Sequence, residues 1–271
     1  MTTTAEAPAA AGRTMARALA ACRIVVTRPI LQAEKLAQAI REAGGEPVMF
    51  PTIEIREANN LAAVDAALTK LADYHWAIFV SPNAVEKCFA RSPSWPASIR
   101  AAAVGPGTRA ALEAHRVRDV LVPAERFDSE SLLALREFAA MQGARCVIFR
   151  GNGGRELIAT ELAKRGALVD IVECYRRVLP ESTEAAELLA RWEQAGIDAV
   201  TLTSSEGVRN FATLLGTPAK PWFAQTPAFV PHARIAGAAR QIGFVDIVTT
   251  GPADAGLLDA LGARFAGRNR Q

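Results

Sequence analysis

A chain of 271 residues, half of them hydrophobic and 22% charged, has room for one large core or two ordinary ones, since domains run to about 100–150 residues. Its apolar stretches fall short of the roughly 20 residues that cross a bilayer. A formal charge of +3 without a basic run excludes a protein that works by neutralising many phosphates, so neither a membrane nor a nucleic acid is expected as a partner.

Only five of the 31 basic residues are lysines. This arginine excess has two readings: codon usage in an Ala- and Arg-rich genome, or guanidinium groups that grip carboxylates and phosphates bidentately. Residues 1–22 are Ala- and Thr-rich, lack the apolar core of a secretion signal and are expected to form a disordered tail. Cys22, Cys88, Cys146 and Cys174 are widely spaced without a C-x-x-C pair, which fits reduced thiols in a cytoplasmic protein. His75, His115 and His232 have no acidic partner at ligand spacing, so no metal site is expected.

From Arg23 onward, short β-branched runs alternate with Ala/Leu-periodic stretches, the pattern of an α/β protein whose parallel sheets are covered by helices. Strands are predicted at residues 24–26, 48–50, 77–80, 101–104, 120–122, 147–149, 169–172, 199–202, 228–230 and 247–249. Ten strands divide into two sheets of five.

The chain repeats itself. Arg23-Ile-Val-Val-Thr-Arg28 aligns with Arg145-Cys-Val-Ile-Phe-Arg150 at an offset of 122, and the register carries on to Gly44 and Gly166, each expected to end a helix. Residues 76–85 resemble 199–208 at an offset of 123, matching Ser81 with Ser204, and residues 117–122 resemble 244–249. Such an A-B-A′-B′ order leaves the domain pairing open: A with B, or B with A′ while the two ends close together. Residues 50–55 and 172–178 read as extended segments running beyond their sheets.

Ligands of open parallel sheets bind beyond the carboxyl ends of the strands, near helix N-termini. Six loops there carry glycine or small polar residues: Thr27-Arg28-Pro29, Ser81-Pro82-Asn83, Gly105-Pro-Gly-Thr108, Gly151-Asn-Gly-Gly154, Thr203-Ser204-Ser205 and Pro231-His232-Ala233. Their hydroxyls also suit helix capping, which by itself accounts for Ser81, Thr108, Ser204 and Ser205. The other reading is that they converge on an anionic ligand. No phosphate-loop or dinucleotide fingerprint is present, and no G-x-S-x-G elbow marks a hydrolase, so a nucleotide cofactor is not expected.

In order and spacing, Val26-Thr-Arg-Pro29, Phe50-Pro-Thr-Ile-Glu-Ile55, Phe79-Val-Ser-Pro-Asn-Ala-Val85, Ala103-Val-Gly-Pro-Gly-Thr108, Arg150-Gly-Asn-Gly-Gly-Arg-Glu156, Tyr175-Arg-Arg177 and Leu202-Thr-Ser-Ser205 resemble the uroporphyrinogen-III synthase family across residues 23–261. The resemblance implies two flavodoxin-like lobes, each a five-stranded parallel sheet flanked by helices, joined by a two-stranded β connector. Lobe one is expected at 23–50 with 177–266, lobe two at 53–173, and the connector at about 51–55 and 174–178, with the active site between lobes. It further implies a cofactor-free cyclising lyase of tetrapyrrole biosynthesis, a monomer, acting on hydroxymethylbilane. Tyr175 matches the tyrosine near the leaving hydroxyl in that family and is the catalytic candidate. Arg28, Ser81, Asn83, Gly105, Thr108, Arg150, Gly151, Gly153, Gly154, Ser204, Ser205 and His232 are the candidate substrate-binding residues. His232 sits where relatives often carry a glycine- and threonine-bearing loop, and an exposed loop histidine is its other reading. The competing function from another class is a non-catalytic two-lobed protein that closes on a small anion.

Overall fold

Strands that are apolar at every position need cover on both faces, and the structure supplies it. The computed structural model describes residues 18–181 and 184–266. β1 (Arg23–Val26), α1 (Ile30–Glu42) and β2 (Glu46–Met49) come first. They are followed by β3 (Glu54–Glu57), α2 (Leu61–Thr69), β4 (Trp76–Phe79), α3 (Pro82–Arg91), β5 (Arg100–Ala103), α4 (Pro106–Ala114) and α5 (Ser129–Leu133). Next are β6 (Arg145–Gly151), α6 (Leu157–Lys164) and β7 (Leu168–Val178). The chain continues through α7 (Ala185–Ala195), β8 (Ala199–Thr201), α8 (Ser205–Leu215), α9 (Lys220–Gln225), β9 (Ala228–Val230), α10 (Ala233–Ile242), β10 (Ile247–Thr249) and α11 (Ala253–Phe265).

The chain divides into two compact units: Met1–Glu54 with Leu179–Gln271, and Ile55–Val178. The first holds a parallel sheet in the order β10-β9-β8-β1-β2. The second sheet runs β3-β7-β6-β4-β5, with β7, β6, β4 and β5 mutually parallel. Successive side chains of β1 enter different cores, Val25 on one face and Ile24 and Val26 on the other. β6 does the same, sending Val147 and Phe149 one way and Cys146 and Ile148 the other. Burial on both faces explains why these strands read as unbroken apolar runs. No helix among the described residues is long and apolar enough to cross a membrane.

The internal repeat survives at the level of single hydrogen bonds. Gly44 N–H donates to Arg41 O and Gly45 N–H to Ile40 O; 122 residues on, Gly166 N–H donates to Ala163 O and Ala167 N–H to Leu162 O. Both Gly44 and Gly166 take positive φ, +85° and +91°, so each ends its helix as the pattern predicts. The caps repeat as well: Ser81 Oγ accepts from Ala84 N–H and Ser204 Oγ from Gly207 N–H.

Two expectations are corrected. Residues 120–122 form no strand; Leu121 makes a single parallel bridge to Ala102, because Asp119 turns into the left-handed region (φ +52°) and Pro123 follows at once. The fifth strand of that sheet is instead β3, which begins at the end of the stretch read as a crossing segment and runs two residues beyond it. The predicted tail is also too long at its C-terminal end. Residues 1–17 lie outside the described residues, but Leu19 and Cys22 are buried against Ile24, Leu36 and Leu261, and Leu19 N–H donates to Ala43 O.

Cutting the chain at Gly143 separates β1 and β2 from β8–β10 and, in the second sheet, β3–β5 from β6 and β7. Neither separately expressed fragment is expected to unfold cooperatively in urea, and a cooperative transition from each would overturn this topology.

Candidate active site

β6 and β7 pair in simple parallel register from Arg145 opposite Leu168 to Arg150 opposite Glu173, and then slip: Gly151 faces Tyr175. The slip is a β-bulge, and it breaks the in-out alternation of β7 so that Cys174 and Tyr175 are both buried. Tyr175 is 3% exposed. Its ring lies so close to Gly151 that a Cβ there would come within 2.6 Å of it. Gly151 is therefore a glycine because the tyrosine ring occupies the space of its missing side chain.

The loop after the bulge is held by Asn152. Its Oδ1 accepts from Arg177 N–H at 2.7 Å, its Nδ2 donates to Arg177 O at 3.4 Å, and its own N–H donates to Tyr175 O at 3.0 Å. Gly153 and Gly154 then turn through positive φ, +64° and +103°, which few other residues tolerate. Beyond them opens a cavity of about 240 Å³. Among the nominated residues, Ser81, Arg150, Gly151, Gly153, Gly154 and Tyr175 line it together.

Two arginines that sequence reasoning did not nominate, Arg155 and Arg177, line it as well, with Ser129 at its wall. Both stand inside the segments that carry the family resemblance; a guanidinium two residues after the tyrosine, or just past a glycine loop, is the readable signal. Arg155 is held by Glu130 through both guanidinium nitrogens. Arg150 is 13% exposed and its Nη2 lies 3.5 Å from Glu173 and 3.8 Å from Glu156, while its buried Nε has no hydrogen-bond partner among the described residues. A buried donor left unpaired costs about 1–3 kcal/mol.

Tyr175 Oη shares a 2.9 Å hydrogen bond with Ser81 Oγ, the cap of α3. Burial pushes the phenol above its ordinary value; the Ser81 hydrogen bond, the Arg177 charge and an Asn83 hydrogen bond pull it back in part, and Cys174 adds to the rise. The phenol thus stays protonated and able to donate throughout the neutral range. On its far side Cys174 Sγ donates to Arg150 O at 3.2 Å. The neighbouring Cys88 thiol is raised by its hydrogen bond to Cys174 and by burial.

Of the remaining nominated residues, Asn83 hydrogen-bonds the Tyr175 phenol, and none of the others lines this cavity. Gly105 caps α4 beside Phe127, and Thr108 is buried in the first turn of that helix. Arg28, Ser204, Ser205 and His232 belong to the other unit. There Arg28 is ion-paired with Asp254. Ser204 caps α8, and His232 caps α10 by accepting from Arg234 N–H at Nδ1, 3.1 Å away. Ser205 Oγ is buried with no hydrogen-bond partner among the described residues. A second cavity, of about 260 Å³ between β2 and α7, is lined by none of the nominated residues.

The model of the family "Uroporphyrinogen-III synthase HemD" matches residues 34–259. Uroporphyrinogen-III synthase of Salmonella typhimurium strain LT2 is 33% identical over 238 residues, 85% of this chain and 96% of that protein, and the enzyme of Escherichia coli K12 matches to the same extent. Among solved structures, a mutant uroporphyrinogen III synthase from the extremely thermophilic bacterium Thermus thermophilus superposes with a TM-score of 0.58 at 18% identity, covering 92% of this chain and all of that one. The Helicobacter pylori uroporphyrinogen-III synthetase gives 0.53 at 12% identity, covering 88% and 97%. These two structures share the α/β fold with this chain.

Gly151→Ala should lower stability to urea by about 1–3 kcal/mol, the usual cost of overpacking. In a Tyr175→Ala background the same change should cost well under 1 kcal/mol; equal costs in both backgrounds would refute the contact. A second measurement uses the fact that the chain has two tyrosines. Tyr74 is pushed up to about 12 by burial and its hydrogen bond to Asp170, and Tyr175 is raised as well. Both phenols hold their protons more tightly folded than unfolded, so the stability they contribute is full below about pH 10 and is lost as pH rises through the folded values. Ultraviolet titration should show little tyrosinate at pH 10 in native protein and about half in guanidinium.

Proposed function

Because the chain belongs to the uroporphyrinogen-III synthase family, the cyclising lyases of tetrapyrrole biosynthesis, we propose that the arginine-lined cavity beside Tyr175 holds part of hydroxymethylbilane while Tyr175 assists departure of its hydroxyl. The observation that carries this reading is the bulge between Arg150 and Gly151, which brings a neutral phenol, a glycine loop and three arginines to one cavity.

The substrate is a linear tetrapyrrole with eight carboxylates. Loss of its terminal hydroxyl as water leaves an azafulvene-type cation; the far pyrrole attacks through its substituted carbon, and the resulting spiro intermediate breaks and recloses with that ring reversed. No electrons are exchanged, and the proton given to the leaving hydroxyl is matched by the one lost from the pyrrole carbon that closes the ring, so the residues are asked to hold anions, pass one proton and fix geometry. Tyr175 Oη, kept protonated by burial, donates toward the departing hydroxyl. Ser81 orients the phenol and shares its hydrogen bond. Arg150, Arg155, Arg177 and the amides of Gly153 and Gly154 are assigned to substrate carboxylates, together with Asn83 near the phenol. Gly151 serves by giving the ring room. In the other unit, Ser205 is the nominated residue with an uncommitted hydroxyl, whereas Arg28, Ser204 and His232 have internal partners that a substrate would have to displace. Gly105 and Thr108 are assigned to shaping the start of α4. Because the bilane closes to the unreversed isomer unaided, holding its end rings in the productive geometry is the principal catalytic task.

The same reading assigns two flavodoxin-like lobes, 23–50 with 177–266 and 53–173, and a two-stranded connector at about 51–55 and 174–178. The strand orders and the division after Glu54 and Val178 support it. A monomer in the cytoplasm, needing no cofactor, completes the proposal; buried reduced cysteines are in keeping with that compartment.

Turnover of hydroxymethylbilane with separation of isomers is the test. Purified protein should give mostly the type III isomer without added metal, flavin or nucleotide, and binding without turnover would favour the non-catalytic reading. Tyr175→Phe keeps the ring and removes the hydroxyl, so turnover should fall roughly thirty- to a thousand-fold, the cost of a transition-state hydrogen bond of about 2–4 kcal/mol. The residual enzymatic product should remain type III after correction for spontaneous closure. Wild-type turnover in a folded Tyr175→Phe protein would remove Tyr175 from the mechanism.

A further inference from the structure

The glycine loop that offers amides to an anion is already in use. Gly153 N–H donates to Glu173 Oε1 at 3.2 Å, and the same oxygen lies 3.5 Å from Arg150 Nη2. A backbone amide and a guanidinium on one carboxylate oxygen is the arrangement expected for a bound acid group. Glu173 reaches it because it stands opposite Arg150 at the last paired position before the bulge, while its side chain remains 46% exposed.

Resting on the assignment of this cavity to the substrate, we propose that Glu173 is an internal stand-in for a substrate carboxylate, which takes over Gly153 N–H and Arg150 when it binds. The exchange is unequal. An ion pair whose carboxylate stands about half in water is screened and must hold two long side chains in one geometry, so Glu173 is displaced cheaply. The incoming group meets the same two donors in a cavity also lined by Arg177.

The arrangement selects for ligands with many acid groups. Arg155, which lines the same cavity, is occupied by Glu130, and Glu156 stands 3.8 Å from Arg150. A small monoanion that displaces one glutamate trades one carboxylate for another and gains little. A molecule bearing several carboxylates on one frame pays the ordering cost once and replaces several internal partners together. Glu173 therefore suppresses occupation by simple anions more than occupation by a polycarboxylate.

The test is the affinity of the intact protein for uroporphyrin III, the oxidised and stable form of the expected product with the same eight carboxylates, read by fluorescence titration. Glu173→Gln removes the competing charge, and Glu173→Asp keeps the charge on an arm too short for Gly153 N–H. Both should bind uroporphyrin III about two- to fivefold more tightly than wild type, and acetate should become a stronger competitor in both. Unchanged or weaker binding in Glu173→Gln overturns the proposal. Tightening in Glu173→Gln alone also overturns it, because a distant charge effect then suffices. Turnover of hydroxymethylbilane by wild type separates the two levels: with turnover and no tightening only the stand-in role fails, and without turnover the assignment of the cavity fails with it.

Discussion

Tyr175 is inside the protein because β7 slips by one residue against β6. Without the slip, the alternation that buries Val172 and Cys174 would send Tyr175 outward with Glu173. The slip requires a partner with no side chain, since the ring takes the space in front of Gly151. It also requires something to restore the ladder beyond it, and the Asn152 amide does this by offering one donor and one acceptor to the backbone of Arg177, as a peptide group would. Phenol, glycine loop and arginines thus depend on one irregularity in an otherwise regular sheet.

The electrostatics of the cavity follow from the same geometry. Burial keeps the phenol neutral, while the Ser81 hydrogen bond and the Arg177 charge offset part of the rise. Guanidinium groups suit the surroundings better than ammonium groups would, because they stay charged when partly buried and present flat faces of donors to carboxylates. Three of the chain's arginines line the cavity, and others form surface pairs such as Arg91 with Asp65 and Arg191 with Glu187.

The periodic parts of the fold were legible in the sequence because their causes are local. Apolar runs, the glycines at 44 and 166 and the capping serines at 81 and 204 act within a few residues of themselves, and duplication displayed each of them twice. Residues 120–122 were misread because β propensity and likeness to 244–249 carried no information on the backbone reversal at Asp119. In the site, Tyr175, Ser81, Arg150 and the glycines could be nominated from motifs. The bulge that unites them could not, since a one-residue slip leaves composition and spacing untouched. Partners far apart in the chain were equally hidden: Asp254 occupies Arg28 from 226 residues away, and Glu130 occupies Arg155 across 25.

The discontinuity of the first unit has a consequence for the order of events during translation. β1 is an interior strand of its sheet, between β2 and β8, yet about 150 residues separate the end of β2 from the start of β8. At ribosomal speeds of about 5–20 residues per second, β1 and β2 wait roughly 10–30 s for their neighbour. During that interval all of Ile55–Val178 emerges and can collapse on its own strands. The nascent chain therefore carries an unpaired apolar β-strand edge ahead of Ile55–Val178 while that unit matures, and this waiting pair is where chaperone binding and aggregation should concentrate.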